Sequence, residues 1–176
     1  NDQNILKVLK SSMYHPLSQI VNAFIKEPPT QIVPLKGGHI HDSWLVRTSM
    51  DNKYCLQKIN DLVFPNVGTL MENIHTVCDY LQVHFSEQIN LVLVLTLQNQ
   101  LYLRSDDNAK WRMFRFIEND DSQPSSTNLQ RFYEAGRVTG RFNVQLENLS
   151  PNSVSVLFKD FHNTLHRYQD LMDVVI

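Results

Sequence analysis

Two short turn signals organise the first half of this sequence. Gly37-Gly38 separates β-prone residues 31–35 from a second β-prone segment at 39–47. Asp51-Asn52 then separates that segment from a third at 54–59. Connections this short join antiparallel neighbours, because parallel strands need a crossover of about a dozen residues or more. The spacing therefore predicts a three-stranded antiparallel meander.

A helical pattern and further strands follow the meander. Pro65 is expected to open a helix that runs to about Phe85, because apolar side chains recur there at three- and four-residue spacing. Further strands are predicted at residues 90–96, 101–103 and 111–117. Ahead of the meander, residues 4–12 and 16–25 also have helical spacing. This order of elements predicts an α+β fold.

The composition changes at Glu118. The residues that follow are mostly Asn, Asp, Ser, Pro and Thr, which is typical of a linker or hinge. Helices are predicted at residues 128–146, at 153–161 and at the end of the chain. Gly136 and Gly140 each lower helix propensity by about 1 kcal/mol, so we expect another backbone to approach them closely. The predicted division is a mixed lobe at 1–118, a hinge at 119–127 and a helical part at 128–176.

Composition and charge exclude several classes of protein. The net charge is −2 and no basic block stands out, so no nucleic-acid partner is expected. No apolar run approaches the ~20 residues needed to span a bilayer, so no membrane partner is expected. Cys55 and Cys78 are not in a CxxC spacing, and two cysteines are too few for a disulfide scaffold. We therefore expect free thiols and a cytoplasmic protein.

Several segments together resemble one family of enzymes. They are residues 37–46, 54–60, 63–65, 70–74, 111–118, 132–136 and 161–168. In chain order they resemble the glycine turn, the third strand, the first helix, the strand before the hinge and two later segments of N-acetylhexosamine 1-kinases. That family is part of the aminoglycoside phosphotransferase/choline kinase-like superfamily. The resemblance implies a protein-kinase-like N-terminal lobe, with a five-stranded antiparallel sheet and a helix, then the first helices of an incomplete C-terminal lobe.

The resemblance also implies an activity. Enzymes of this family transfer a phosphoryl group from ATP, with Mg²⁺, to the anomeric hydroxyl of an N-acetylhexosamine (GlcNAc or GalNAc). Kinases for choline, homoserine or aminoglycosides share the lobe, and a non-catalytic, pseudokinase-like binding module is a further alternative. No H-x-D-x-x-x-x-N pattern follows Arg167. We therefore expect no catalytic residue and no magnesium ligand in this chain, and no activity from the chain alone.

Nucleotide-binding roles follow from the resemblance. The glycine turn, Gly37, Gly38 and His39, is expected next to the phosphates. Gln57 occupies the position where protein kinases carry a phosphate-contacting Lys, and it brings no positive charge to this lobe. Because side chains alternate along a strand, Cys55 shares the face of Gln57 and is expected to contact adenine, while Lys58 points away.

At the hinge, the adenine edge is expected to meet backbone groups. The matching positions are the carbonyl of Arg115 and the N–H of Ile117, with Phe116 and Met113 lining the slot.

Other polar residues carry weaker expectations. Glu72 is interpreted as a solvated helix charge and Asn73 as an inward polar contact. A metal site at His39, His41 and Asp42, or at His162 and His166, is not favoured, because no third ligand accompanies the His162–His166 pair. The residues considered for bracing a substrate are Asp160, His162, Asn163 and Arg167. Apolar residues at the chain end are expected to be exposed or covered by a partner: Leu171, Val174, Val175 and Ile176.

Overall fold

A computed structural model describes residues 17–36, 38–86, 91–118 and 128–175 of this chain. Within these ranges the strands are β1 Pro29–Pro34, β2 Asp42–Thr48, β3 Lys53–Lys58, β4 Leu93–Val94, β5 Leu103–Arg104 and β6 Lys110–Arg115. The helices are α1 Val67–Phe85, α2 Asn128–Gln145 and α3 Thr164–Val175, with a 3₁₀ turn at Pro151–Ser153. Residues 17–22 are also helical, whereas the helix predicted at 4–12 and the hinge at 119–127 lie outside the described residues.

The strands form an antiparallel sheet in the order β1-β2-β3-β6-β4. The predicted meander is confirmed as β1, β2 and β3, although the second strand begins only at Asp42. The described sheet has six strands, as many as the sequence patterns predict, whereas the family resemblance implies five. Leu93 pairs with Phe114 and Leu103 with Trp111, so two-residue β4 and β5 follow one another along the same edge of β6.

One face of the sheet is covered by the N-terminal helical residues and the turn after them. Val21 and Phe24 pack against side chains that point from the middle of the sheet, among them Leu56 and Met113. Leu56 and Met113 are fully buried, and they are paired across β3 and β6. Burial of such side chains contributes about 1.5–3 kcal/mol each. This cluster is the main core of the lobe.

Helix α1 covers the other side of the lobe. Its buried residues are Val67, Leu70, Met71, Cys78 and Leu81. Ile59, just past the end of β3, packs into the same cluster as Met71. The helix begins at Val67, two residues after Pro65, because the Asn66 side chain accepts a hydrogen bond from the Thr69 N–H at 3.2 Å. Asn66 is thus the N-cap that sets the start of α1.

The helix predicted at residues 153–161 is wrong. After the 3₁₀ turn the backbone becomes extended at Val154. Asn73 of α1 donates to the Ser155 carbonyl at 2.7 Å and accepts from the Ser155 N–H at 2.8 Å. These bonds take both backbone groups of Ser155 away from any helical pairing. The expectation of a polar contact at Asn73 is confirmed, and its partner is the connecting backbone.

Replacing Asn73 by Ala should lower the free energy of unfolding by about 1–2 kcal/mol, because two hydrogen bonds are lost at a partly exposed position. Urea denaturation followed by circular dichroism measures the change. Glu72→Ala is the matched control on the same helix, since Glu72 is exposed, as expected of a solvated charge. Equal stability of the two variants would show that the Ser155 contact contributes nothing.

Helices α2 and α3 expose much apolar surface. Leu171, Val174 and Val175 are exposed, as predicted, and Ile176 lies outside the described residues. A Cβ added at Gly136 or Gly140 would meet no described atom within 4 Å, so the expected close approach of another backbone is wrong for the described part of the chain. No helix in the described ranges is long and apolar enough to span a bilayer.

Candidate functional site

The sheet face opposite the main core carries a polar row. Ser43, Gln57 and Arg112 are in register across β2, β3 and β6. Arg112 Nε donates to Gln57 Oε1 at 2.9 Å, and Gln57 Nε2 donates to Ser43 Oγ at 2.9 Å. Ser43 lies just after the glycine turn in the chain. The polar row is therefore a hydrogen-bonded line of side chains at the end of the face nearest that turn.

An apolar row lies directly beside the polar row. Leu45, Cys55, Phe114 and Leu93 are in register across β2, β3, β6 and β4. All four are partly buried. Burial raises the pKa of the Cys55 thiol, and the positive charge of Arg112 partly offsets that rise. Cys55 is thus a neutral, mainly apolar contact surface.

Arg112 places a positive charge beside Gln57 that the sequence did not predict. Gln57 itself is uncharged, and the cation stands opposite it on the neighbouring strand β6. Arg112 is 8% exposed. Its guanidinium lies 5.3 Å from the Phe114 ring centroid. Burial lowers the pKa of Arg112, but an arginine remains charged at neutral pH.

The glycine turn is partly described. Gly37 lies outside the described residues, while Gly38 and His39 are exposed. A Cβ added at Gly38 would come 3.5 Å from the His41 carbonyl oxygen, an ordinary contact, so the surrounding chain does not demand glycine there. The His39 side chain is in a cavity of about 330 Å³ that it shares with Lys58 and Asp61.

His41 connects the turn to the rest of the lobe. Its ring lies 5.4 Å from that of Phe64, and its Nδ1 accepts from the Asn60 N–H at 3.1 Å. Burial, followed by the charge of Arg112, lowers the pKa of His41. The histidine is therefore held neutral and takes part in packing.

The backbone N–H groups at the end of β6 differ in whether they are paired. The Phe116 N–H donates to the Lys53 carbonyl at 3.0 Å, and the Arg115 N–H donates to Val92 at 2.9 Å. The Ile117 N–H has no backbone partner among the residues that the structure describes. Arg115 and Phe116 line a cavity of about 250 Å³ with Lys53 and Glu118, which form an ion pair. This cavity and the one at His39 share no residue.

Met113 does not line the face that carries Cys55 and Gln57. It is fully buried in the main core and pairs with Leu56, whose side chain points the same way. Lys58 also points away from Gln57, as predicted, with its ammonium 5.9 Å from the Trp111 ring centroid. Phe114, which pairs with Cys55, occupies the face on which Met113 was expected to line the adenine slot. The alternation of β6 could have identified both Phe114 and Arg112, had its register with β3 been known.

The polar residues considered for bracing a substrate contact residues close to them in the chain. Asn163 Oδ1 accepts from the His166 N–H at 3.1 Å at the start of α3. Arg167 is 3.3 Å from Asp170. The His162 ring makes an edge contact with Phe161. Within the described ranges, no group of three or more His, Cys, Asp or Glu residues could hold a metal ion.

Comparisons with known proteins bear on the fold. No protein-family model matches this sequence. Among solved structures, the crystal structure of spectinomycin phosphotransferase, APH(9)-Ia, in complex with ADP and spectinomycin is similar, with a TM-score of 0.51 and 13% sequence identity. The similarity covers 78% of this chain but only 39% of that protein. This chain therefore has the α+β, protein-kinase-like fold that the sequence predicts.

Proposed function

We propose that this chain is the nucleotide-binding part of an ATP-dependent phosphotransferase that acts on a small molecule. The observation that carries the proposal is the pairing of two rows on one sheet face. The apolar row (Leu45, Cys55, Phe114 and Leu93) lies on the hinge side, and the polar row (Ser43, Gln57 and Arg112) lies toward the glycine turn.

This order matches the order of groups in a nucleotide. A purine ring needs an apolar surface with a few polar groups at its edge, and the Ile117 N–H is one such donor. The phosphates need hydrogen-bond donors and positive charge. Adenine would rest against Cys55 and Phe114, with its phosphates toward Gly38 and His39. A protein of the same fold was solved with ADP, which supports nucleotide binding by this chain.

The acceptor that we propose is an N-acetylhexosamine, phosphorylated at its anomeric hydroxyl. Its support is the sequence resemblance of residues 37–171, since the described residues show no sugar site. The known neighbour was solved with spectinomycin, so an aminoglycoside-type acceptor is the first competitor to test. The described residues contain no cluster suited to magnesium. A protein that binds nucleotide without turnover would support the pseudokinase alternative.

Protection of a cysteine tests the nucleotide site directly. The intact protein is treated with N-ethylmaleimide at pH 8.5, with and without ADP, and mass spectrometry measures alkylation at Cys55 and Cys78. At ADP concentrations of about ten times Kd, we expect alkylation of Cys55 to slow about tenfold, because roughly a tenth of the sites remain empty. Cys78, a buried residue of α1, is the internal control.

Two results would contradict the proposal. Failure of the intact protein to bind ADP in calorimetry would remove the nucleotide site. Binding of ADP with no change at Cys55 would place the nucleotide elsewhere. Phosphoryl transfer to GlcNAc, GalNAc, choline and spectinomycin, measured in parallel with ATP and magnesium, then identifies the acceptor. Activity on choline with none on either sugar would overturn the N-acetylhexosamine assignment.

A further inference from the structure

Arg112 is a buried cation without a buried anion. Only 8% of the residue is exposed, and it forms no ion pair with any carboxylate in the described ranges. An ionised group buried without a counter-charge is strongly destabilising. An arginine does not escape this penalty by losing its proton, because it keeps its charge throughout the ordinary pH range. We therefore expect a negatively charged group to bind next to the guanidinium of Arg112.

The guanidinium is held in one orientation. Its Nε donates to Gln57 Oε1, and the Gln57 amide is fixed in turn by Ser43. In the described part of the chain, every fully enclosed side-chain nitrogen or oxygen has a hydrogen-bond partner. The two terminal nitrogens of Arg112 bond to no described residue, so they are not fully enclosed. They form the free fork of a guanidinium whose third nitrogen is already engaged.

A free guanidinium fork fits phosphate oxygens. Its two parallel N–H groups match two oxygens of a phosphate and give a charge-assisted, bidentate pair. Gln57 occupies the position where protein kinases have a phosphate-contacting Lys, and Arg112 is its direct cross-strand partner. Compared with protein kinases, the positive charge therefore stands on β6 instead of β3. The two strands are neighbours, and both positions lie on the same face of the sheet.

We propose that Arg112 binds a phosphate of the nucleotide and replaces the absent lysine, with Gln57 as the positioning residue that aims its guanidinium. This inference rests on the proposed nucleotide site and adds a residue that the family resemblance did not indicate. It also gives a reason for a glutamine at position 57, because an amide oxygen accepts from the arginine where a lysine would repel it.

Calorimetry with ADP and with adenosine tests the role of Arg112 on the intact protein. We expect Arg112→Gln to weaken ADP binding about tenfold or more and to leave adenosine binding within about twofold. The double variant Gln57→Lys/Arg112→Gln exchanges the positions of the cation and the amide across the same pair of strands. We expect it to recover most of the ADP affinity. Arg104→Gln, at an exposed arginine of β5, is the matched control and should bind ADP like the wild type.

The outcomes separate this inference from the proposed function. Wild-type protein that binds neither ADP nor adenosine would overturn both. Wild-type binding with an unchanged ADP affinity in Arg112→Gln would overturn the role of Arg112 alone. An equal loss of ADP and adenosine affinity would also overturn it, because a structural role affects both ligands. If Arg112→Gln does not fold, the double variant Gln57→Lys/Arg112→Gln is measured instead. If that variant binds ADP no more tightly than it binds adenosine, the inference is contradicted.

Discussion

Replacement of Cys55 by Trp should weaken ADP binding by about 30-fold or more. Cys55 lies in the middle of the apolar row between Leu45 and Phe114, where the adenine ring is proposed to rest. An indole at this position would occupy the space of the purine. A steric penalty of about 2 kcal/mol, within the range for overpacking, corresponds to about 30-fold in Kd. Isothermal titration of the intact protein with ADP measures the effect.

The control for this substitution introduces the same indole elsewhere. Val83→Trp places it on an exposed position of α1, away from both rows, and should leave the ADP affinity unchanged. Thermal unfolding of both variants shows whether the lobe is intact. A folded Cys55→Trp protein with the wild-type Kd for ADP would mean that the apolar row does not receive the adenine.

Replacement of Trp111 by Ala should lower the free energy of unfolding by about 3–5 kcal/mol. Trp111 is almost fully buried in the main core, with its ring 5.5 Å from that of Trp44. Its indole N–H donates to Ser105 Oγ at 3.1 Å, and Lys58 lies over its face. The variant loses apolar burial, a hydrogen bond and a ring contact together. Urea denaturation monitored by far-ultraviolet circular dichroism measures the loss.

Trp111→Phe is the graded control. A phenyl ring keeps most of the apolar contact and loses the Ser105 hydrogen bond, so a decrease of about 1–2 kcal/mol is expected. The difference between the two variants then reports the packing contribution of the ring. A Trp111→Ala protein as stable as Trp111→Phe would show that the main core does not depend on this side chain.

Local patterns in the sequence were sufficient for the meander and for the two faces of β3. The turn residues between β1, β2 and β3 permit only short connections, and short connections require antiparallel pairing. Alternation along β3 then separates Cys55 and Gln57 from Leu56 and Lys58. Each of these inferences uses neighbours in the chain, and each agrees with the structure.

Local patterns could not decide which sheet face Arg112 and Met113 occupy. Both belong to β6, and which of them shares a face with Gln57 depends on the register between β6 and β3, some 55 residues apart in the chain. A shift of one residue exchanges the faces. Met113 was expected in the adenine slot, whereas the register places Phe114 and Arg112 on that face.

The prediction of a helix at residues 153–161, after the 3₁₀ turn, was wrong for a related reason. A helix was expected there, whereas Asn73 of α1 binds both backbone groups of Ser155 across 82 residues of chain. Two hydrogen bonds to an extended backbone outweigh a weak helical preference, since propensity differences are only a few tenths of a kcal/mol per residue. Tertiary contacts therefore set the local structure there.

The sequence by itself determined the turns, the strand alternation and the order of the strands, because these depend on residues close together in the chain. Tertiary structure alone decided that Gln57 meets Arg112, that Cys55 meets Phe114 and that the guanidinium of Arg112 is buried on that face of the sheet. Strand pairing brings together residues whose separation in the chain carries no signal of their contact. The chemistry of this site arises from those pairs.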